Sequence, residues 1–197
     1  MTTPPSAGAP PATAAGIVLI GPPTSGKSSV GALLAGELGV PFADTDDAVA
    51  AAAGKPVGDI FVDDGELVFR ELERAAVARG LETIGTSGAS GASGASGTPG
   101  PAGGVLALGS GAVLDPDVRR MIAGRFVVYL EAGFATVAKR TGMDRPRVVI
   151  PGNPRGRLRA MLEERRPVYA ELATITVPTD DMAPEEVAAD LAKRLRA

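Results

Sequence analysis

Gly21-Pro22-Pro23-Thr24-Ser25-Gly26-Lys27-Ser28 is the stretch of this chain whose residue types and spacing bear most directly on chemistry. It fits the pattern G-x-x-x-x-G-K-[ST], and each fixed position has a physical reason. Glycines let the backbone curl so that successive N–H groups face an anion, and the following helix N-terminus adds partial positive charge. Lys27 can reach the outer phosphates of a nucleoside triphosphate. Ser28, with Ser29 beside it, supplies a hard hydroxyl oxygen of the kind Mg²⁺ accepts. The competing reading is a glycine-rich turn that merely caps a helix. No Asn-Lys-x-Asp guanine signature occurs in the chain, so ATP is expected over GTP.

Three further clusters could do chemistry near such a cradle. Asp44-Thr45-Asp46 puts two acids on one turn, for a metal and an acceptor hydroxyl, or else simply an N-cap with an extra first-turn acid. Glu66, Arg70 and Glu73 share one helix face, which suits either a surface ion-pair ladder or an anion site. Leu108-Gly109-Ser110-Gly111-Ala112 offers backbone amides to an anion, or only a tight turn. Segment 139–166 carries nine Lys and Arg against three acids in a chain of net charge −3. Such a single-sign cluster is either a solvated helix face or a phosphate-binding surface.

The remaining chemistry is bounded by what is missing. With no cysteine and no histidine, a disulfide scaffold, a Cys/His zinc site, a thiol nucleophile and a Ser-His-Asp relay are all excluded. Carboxylates, Lys, Arg, backbone amides and a hard cation remain. The acidic balance, with a pI near 5.1, argues against nucleic acid as a partner. No apolar run reaches the ~18 residues of a membrane span, and the N-terminus lacks a signal-peptide pattern. A cytoplasmic protein acting as a monomer on small molecules is expected.

The elements that must hold these residues follow from periodicity. Strands are expected at Ile17–Ile20, Val40–Ala43, Val105–Leu108, Phe126–Leu130 and Ile175–Val177. The continuously apolar Phe126–Leu130 is the mark of a parallel strand covered on both faces. Val30, Leu33, Leu34 and Leu38 place a helical stripe after Lys27, with Gly39 as a left-handed cap. The last helix begins at Pro184-Glu185-Glu186 and ends on Lys193-Arg194-Leu195-Arg196, in the order the helix dipole favours. Helices alternating with strands predict a parallel α/β sheet with right-handed crossovers. Residues 1–15 form an expected N-terminal tail, and 85–104, with Gly at every third position, an expected flexible surface loop.

Taken together, GPPTSGKSS, FADTDDAV, GKPVGDIFVDDGELVFRELE, VLALGSGAVL, VVYLEA, KRTGMDRPR and RAMLEERRPVYAELA resemble the shikimate kinases, small P-loop kinases of the nucleoside-monophosphate-kinase-like group. The likeness spans most of 16–197 outside 85–104. It implies a three-layer α/β/α domain with a five-stranded parallel sheet in order 2-3-1-4-5, and a lid around 141–156. It also implies ATP-dependent phosphorylation of the shikimate 3-hydroxyl, with Mg²⁺, in aromatic amino-acid biosynthesis.

The same resemblance implies roles residue by residue. The amides of Gly21, Pro22, Pro23, Thr24, Ser25, Gly26, Lys27, Ser28 and Ser29 (the prolines contributing backbone shape only) would wrap the phosphates with the Lys27 ammonium. Ser28 would ligate Mg²⁺ and Asp44 would support it through water. Asp46 would orient and deprotonate the acceptor hydroxyl. Arg70 and Arg165, with amides around Gly109, Ser110 and Gly111, would clamp the substrate carboxylate. Arg145 would lie over the transferring phosphoryl group and Arg140 beside the adenine. Two departures stand out: the family usually has glycine at positions 24 and 110 of this chain. Ser110 is therefore expected at a left-handed, strained position costing ~1–3 kcal/mol. The alternative is a relaxed Ser110 whose hydroxyl binds substrate. The lid is also spaced differently from the family's, with Arg147 in a normally apolar place. A gluconate-type polyol kinase and a non-catalytic nucleotide-binding regulator are the competing functional readings.

Overall fold

The computed structural model describes residues 16–86, 103–143 and 153–196. The expectations for the 1–15 tail, for Arg145 and for Arg147 fall outside them. Five strands, β1 (Ile17–Ile20), β2 (Phe42–Asp44), β3 (Val105–Ala107), β4 (Phe126–Glu131) and β5 (Ile175–Pro178), pair in the order β2-β3-β1-β4-β5, every pair parallel. Eight α-helices lie among the described residues: α1 (Lys27–Leu38), α2 (Thr45–Ala53), α3 (Val57–Asp63), α4 (Gly65–Thr86), α5 (Pro116–Ile122), α6 (Phe134–Arg140), α7 (Pro154–Leu172) and α8 (Pro184–Arg196). This is the expected sheet order.

The layers follow from the two-residue period of the central strand. Ile17 and Leu19 face one side, where they pack with Val30 and Leu34 of α1 and Val187 and Leu191 of α8. Val18 and Ile20 face the other, against Val77 and Ile84 of α4, Val118 and Ile122 of α5, and Tyr169 of α7. All four β1 side chains are buried. Helix α2 and helix α3 close over α4 through Val49, Ile60, Phe69 and Ala76, forming a smaller satellite core beside β2.

Element ends differ from expectation for definable reasons. The strand expected to begin at Val40 begins at Phe42. The Val40 N–H is spent on the Ala35 carbonyl, closing α1 behind left-handed Gly39, and Pro41 has no N–H to give. Both ends of the expected loop 85–104 take part in defined structure. Gly85 and Thr86 complete α4, and the Gly104 carbonyl accepts the Ile17 amide at 2.8 Å. Residues 87–102 lie outside the described residues. Of the expected lid, 141–143 form a turn after α6 and Asn153 caps α7 by accepting the Gly156 amide; 144–152 lie outside.

The carboxyl ends of all strands open on one edge of the sheet, where open α/β sheets place their ligands. The phosphate loop leaves β1, Asp44 ends β2, Gly109–Gly111 follow β3, Gly133 follows β4 and Thr179 follows β5.

Candidate active site

The loop between β1 and α1 is built as its glycines require. Gly26 sits at φ 95 directly before α1, and its carbonyl accepts the Val30 amide at 2.8 Å. The Ser25 amide donates to the Pro22 carbonyl at 3.3 Å, closing a turn with Pro23 and Thr24 at its centre. Thr24 lies at φ 57, in the position where a type II turn wants glycine. A β-branched residue there costs about 1–2 kcal/mol. The Lys27 ammonium donates to the carbonyls of Gly21 and Pro22 at 3.1 and 2.9 Å. Burial pushes Lys27 down to about 8, against the pull of Asp46 and Asp44, and Arg165 lowers it further. Pro23, Thr24, Gly26, Lys27, Ser28 and Ser29 line one cleft of about 400 Å³ that also takes in Asp44, Asp46, Leu108 and Ser110.

Asp44 is the expected N-cap of α2, and it makes a second contact to the phosphate loop. One carboxylate oxygen accepts the Asp46 amide at 2.9 Å and caps α2. The other accepts the Ser28 hydroxyl at 2.6 Å. The pair thus presents two hard oxygens beside Lys27, which fits Mg²⁺, an ion that takes one or two protein ligands and keeps waters and phosphates for the rest. Asp46 is pushed above the ordinary carboxylate range by burial first and by Asp44 second, while Lys27 opposes the shift.

Beside Gly109 and Gly111, Arg70 of α4 donates to Glu73 at 2.7 Å and to Glu66 at 3.3 Å. Glu73 is 2% exposed, so this end of the ladder is buried, while Glu66 at the other end is a surface partner. Burial raises Glu73 and Arg70 pulls it back. A Cβ on Gly109 would stand 2.6 Å from Asp46 Oδ1 and 2.9 Å from Glu73 Oε1, and one on Gly111 would stand 3.0 Å from Arg70 Nη1. Gly109 is the more tightly constrained of the two, since a Cβ there would displace the Asp46 and Glu73 carboxylates, whereas at Gly111 only the tip of Arg70 would have to give. Neither stands at positive φ.

Ser110 corrects the expectation of strain. Among the described non-glycine residues only Thr24 and Asp181 have positive φ, so Ser110 has no left-handed backbone. Instead its carbonyl is held from α7, by the Tyr169 hydroxyl at 2.6 Å and by Arg165 Nη1 at 3.4 Å. The expected clamp of amides is also narrower, because the Gly109 N–H already donates to the buried Thr45 hydroxyl at 2.8 Å.

Arg140 reaches from the end of α6 to the carbonyls of Thr24 and Thr179, both at 3.0 Å. It borders a second cleft of about 220 Å³ whose apolar walls are Val30, Met182, Pro184 and Val187. Thr24, Ser25, Gly26 and Ser29 form its other side. The cleft places an apolar slot next to the phosphate loop, as a nucleotide base requires.

Sequence reasoning missed Thr45, Tyr169 and the Met182 wall. A signal existed for Tyr169, which stands four residues after Arg165 and so on the same helix face. Thr45 carried none beyond lying between two acids. The residues from α8 reach the site only through the sheet order.

Comparison with known proteins points to one family. The family model "Shikimate kinase" matches residues 23–92 and 98–196. A shikimate kinase of Thermobifida fusca is 48% identical over 180 residues, 91% of this chain and 94% of that protein. One from Salinispora arenicola is 46% identical over 91% of this chain and 97% of its own length. Among solved structures, the shikimate kinase from Acinetobacter baumannii in complex with shikimate superposes with a TM-score of 0.74 at 29% identity, covering 94% of both chains. With a family model over most of its length and relatives at 46–48% identity over nine-tenths of it, the chain belongs to the shikimate kinase family.

Proposed function

We propose that this protein transfers the terminal phosphoryl group of ATP to the 3-hydroxyl of shikimate. The observation that carries the reading is that the cleft holding Lys27 and Ser28 also holds Asp46 and Ser110. Donor cradle and acceptor end share one space, so an attacking hydroxyl and a phosphoryl group can meet in line.

In this reading the nucleotide's phosphates replace the Gly21 and Pro22 carbonyls as partners of Lys27, and its base lies in the slot beside Arg140. Shikimate's carboxylate sits between Arg70 and Arg165 with the Ser110 and Gly111 amides, since guanidinium groups pair with carboxylates in two-point fashion. Asp46 orients the 3-hydroxyl and takes its proton. Its raised affinity for protons brings it toward the range of an effective general base. Ser28 and Asp44 would hold Mg²⁺, which when bound neutralises charge on the phosphates. Arg145 would add its charge to the transferring group. Among the described residues no helix is long and apolar enough to cross a membrane, and the proposed setting is a cytoplasmic monomer.

The test is a coupled ADP-release assay with shikimate and gluconate as acceptors. Turnover with shikimate and none with gluconate is expected. Gluconate turnover, or ADP release independent of any acceptor, would overturn the assignment.

A further inference from the structure

Thr24 is the strained residue of the phosphate loop, and its side chain is exposed. It is held there from three directions. Pro23 fixes the backbone before it, the Ser25 amide closes the turn around it, and Arg140 grips its carbonyl at 3.0 Å. The residue also borders both clefts, the one with Lys27, Ser28 and Asp46 and the one with Arg140, Met182 and Val187. A nucleotide with its outer phosphates in the first and its base in the second carries its inner phosphates past the residues the two clefts share, Thr24, Gly26 and Ser29. The Thr24 hydroxyl makes no hydrogen bond among the described residues, whereas the carbonyl of the same residue is engaged.

We propose that the Thr24 hydroxyl is a nucleotide-binding group, donating a hydrogen bond to a phosphate oxygen of the diphosphate portion of ATP or ADP. This rests on the nucleotide reading above and deepens it. Glycine at this position would satisfy the turn without strain but could offer the ligand only its amide. Threonine keeps the amide and adds a donor at the saddle between the two clefts. A hydroxyl donating to an ionised oxygen is among the stronger hydrogen bonds, so its loss is expected to weaken binding about tenfold.

The experiment measures ADP and shikimate binding by calorimetry, and Tm, for wild type, Thr24→Val, Thr24→Ser and Thr24→Gly. Val keeps the branched shape and the strain but removes the donor, and ADP Kd should rise about tenfold with Tm unchanged. Gly should raise Kd similarly while raising Tm, because the strain is released. Ser should stay within about threefold of wild type, and shikimate binding should be unaltered throughout. A purely structural role would move Tm without separating Val from Ser in ADP affinity. If Val fails to fold, the Ser and Gly pair decides. ADP affinity equal to wild type in the donor-free variants overturns the inference but leaves the kinase reading intact; a wild type that does not bind ADP overturns both.

Discussion

Ser28 donates its hydroxyl to Asp44 across 2.6 Å, while the other Asp44 oxygen caps helix α2 through the Asp46 amide. One carboxylate therefore ties the phosphate loop to the turn that carries the proposed base. Its two tasks separate by substitution. Asn caps helices as well as Asp does, so Asp44→Asn should keep Tm while raising the Mg²⁺ concentration needed for half-maximal turnover at least tenfold. Asp44→Ala should show the same Mg²⁺ effect and also lose about 0.5–2 kcal/mol of stability. Equal Mg²⁺ dependence in wild type and Asn variant would assign Asp44 to the helix alone.

Arg70 and Arg165 should both matter for shikimate but differ in stability. Each Ala variant is expected to raise the shikimate KM at least tenfold with little change for ATP. Arg70→Ala also strands buried Glu73, a loss toward the low end of about 3–5 kcal/mol, because Glu73 can take up a proton. Arg165 meets a neutral carbonyl at 3.4 Å, so Arg165→Ala should melt near wild type. Thermal denaturation of the two variants distinguishes them.

Ser110→Gly should bring no gain, since Ser110 has no positive φ to relieve. Its position depends on its carbonyl's partners, which makes Tyr169→Phe the informative change. Burial already pushes the Tyr169 hydroxyl up to about 12, so it is a neutral donor at every working pH. Removing it should cost about 0.5–1.5 kcal/mol, read as a shikimate KM several-fold higher with ATP KM unchanged.

Nucleotide binding should fall with rising pH through a group at about 8. Lys27 holds phosphates as an ammonium, and its burial lowers it from 10.5 to about 8 in the free protein. Above that pH the protein must take up a proton to bind, so ADP Kd measured without Mg²⁺ should weaken toward tenfold per pH unit. Lys27→Arg stays charged and should abolish this limb. The linked stability term has a definite sign: the folded state disfavours the charged amine, so stability falls as pH drops from 10.5 toward 8 and is flat below.

Much of this was legible in the chain because local rules and global fold agreed. The phosphate loop, Gly39 as a cap and the continuously apolar β4 each report their own structure. The P-loop and the Asp44–Asp46 pair announce themselves by residue type at fixed spacing. Positions that depend on long-range contact did not. Gly109 is needed because Asp46 and Glu73 converge on it, and nothing in Gly109-Ser110-Gly111 itself says that its middle residue is free to be serine. The strain expected at Ser110 is absent there, while Thr24, the other glycine replacement, does stand at positive φ, because only its place in the Pro22–Ser25 turn demands it.

The central claim is that Asp46 removes the proton from the acceptor hydroxyl. Asp46→Asn keeps the size, leaves Ser28, Asp44 and the P-loop in place, and cannot accept a proton. At pH 7, with ADP binding followed alongside, kcat for shikimate phosphorylation should fall about 10²–10⁴-fold while ADP Kd stays within about threefold. A variant that retains more than about a tenth of wild-type kcat would contradict the account.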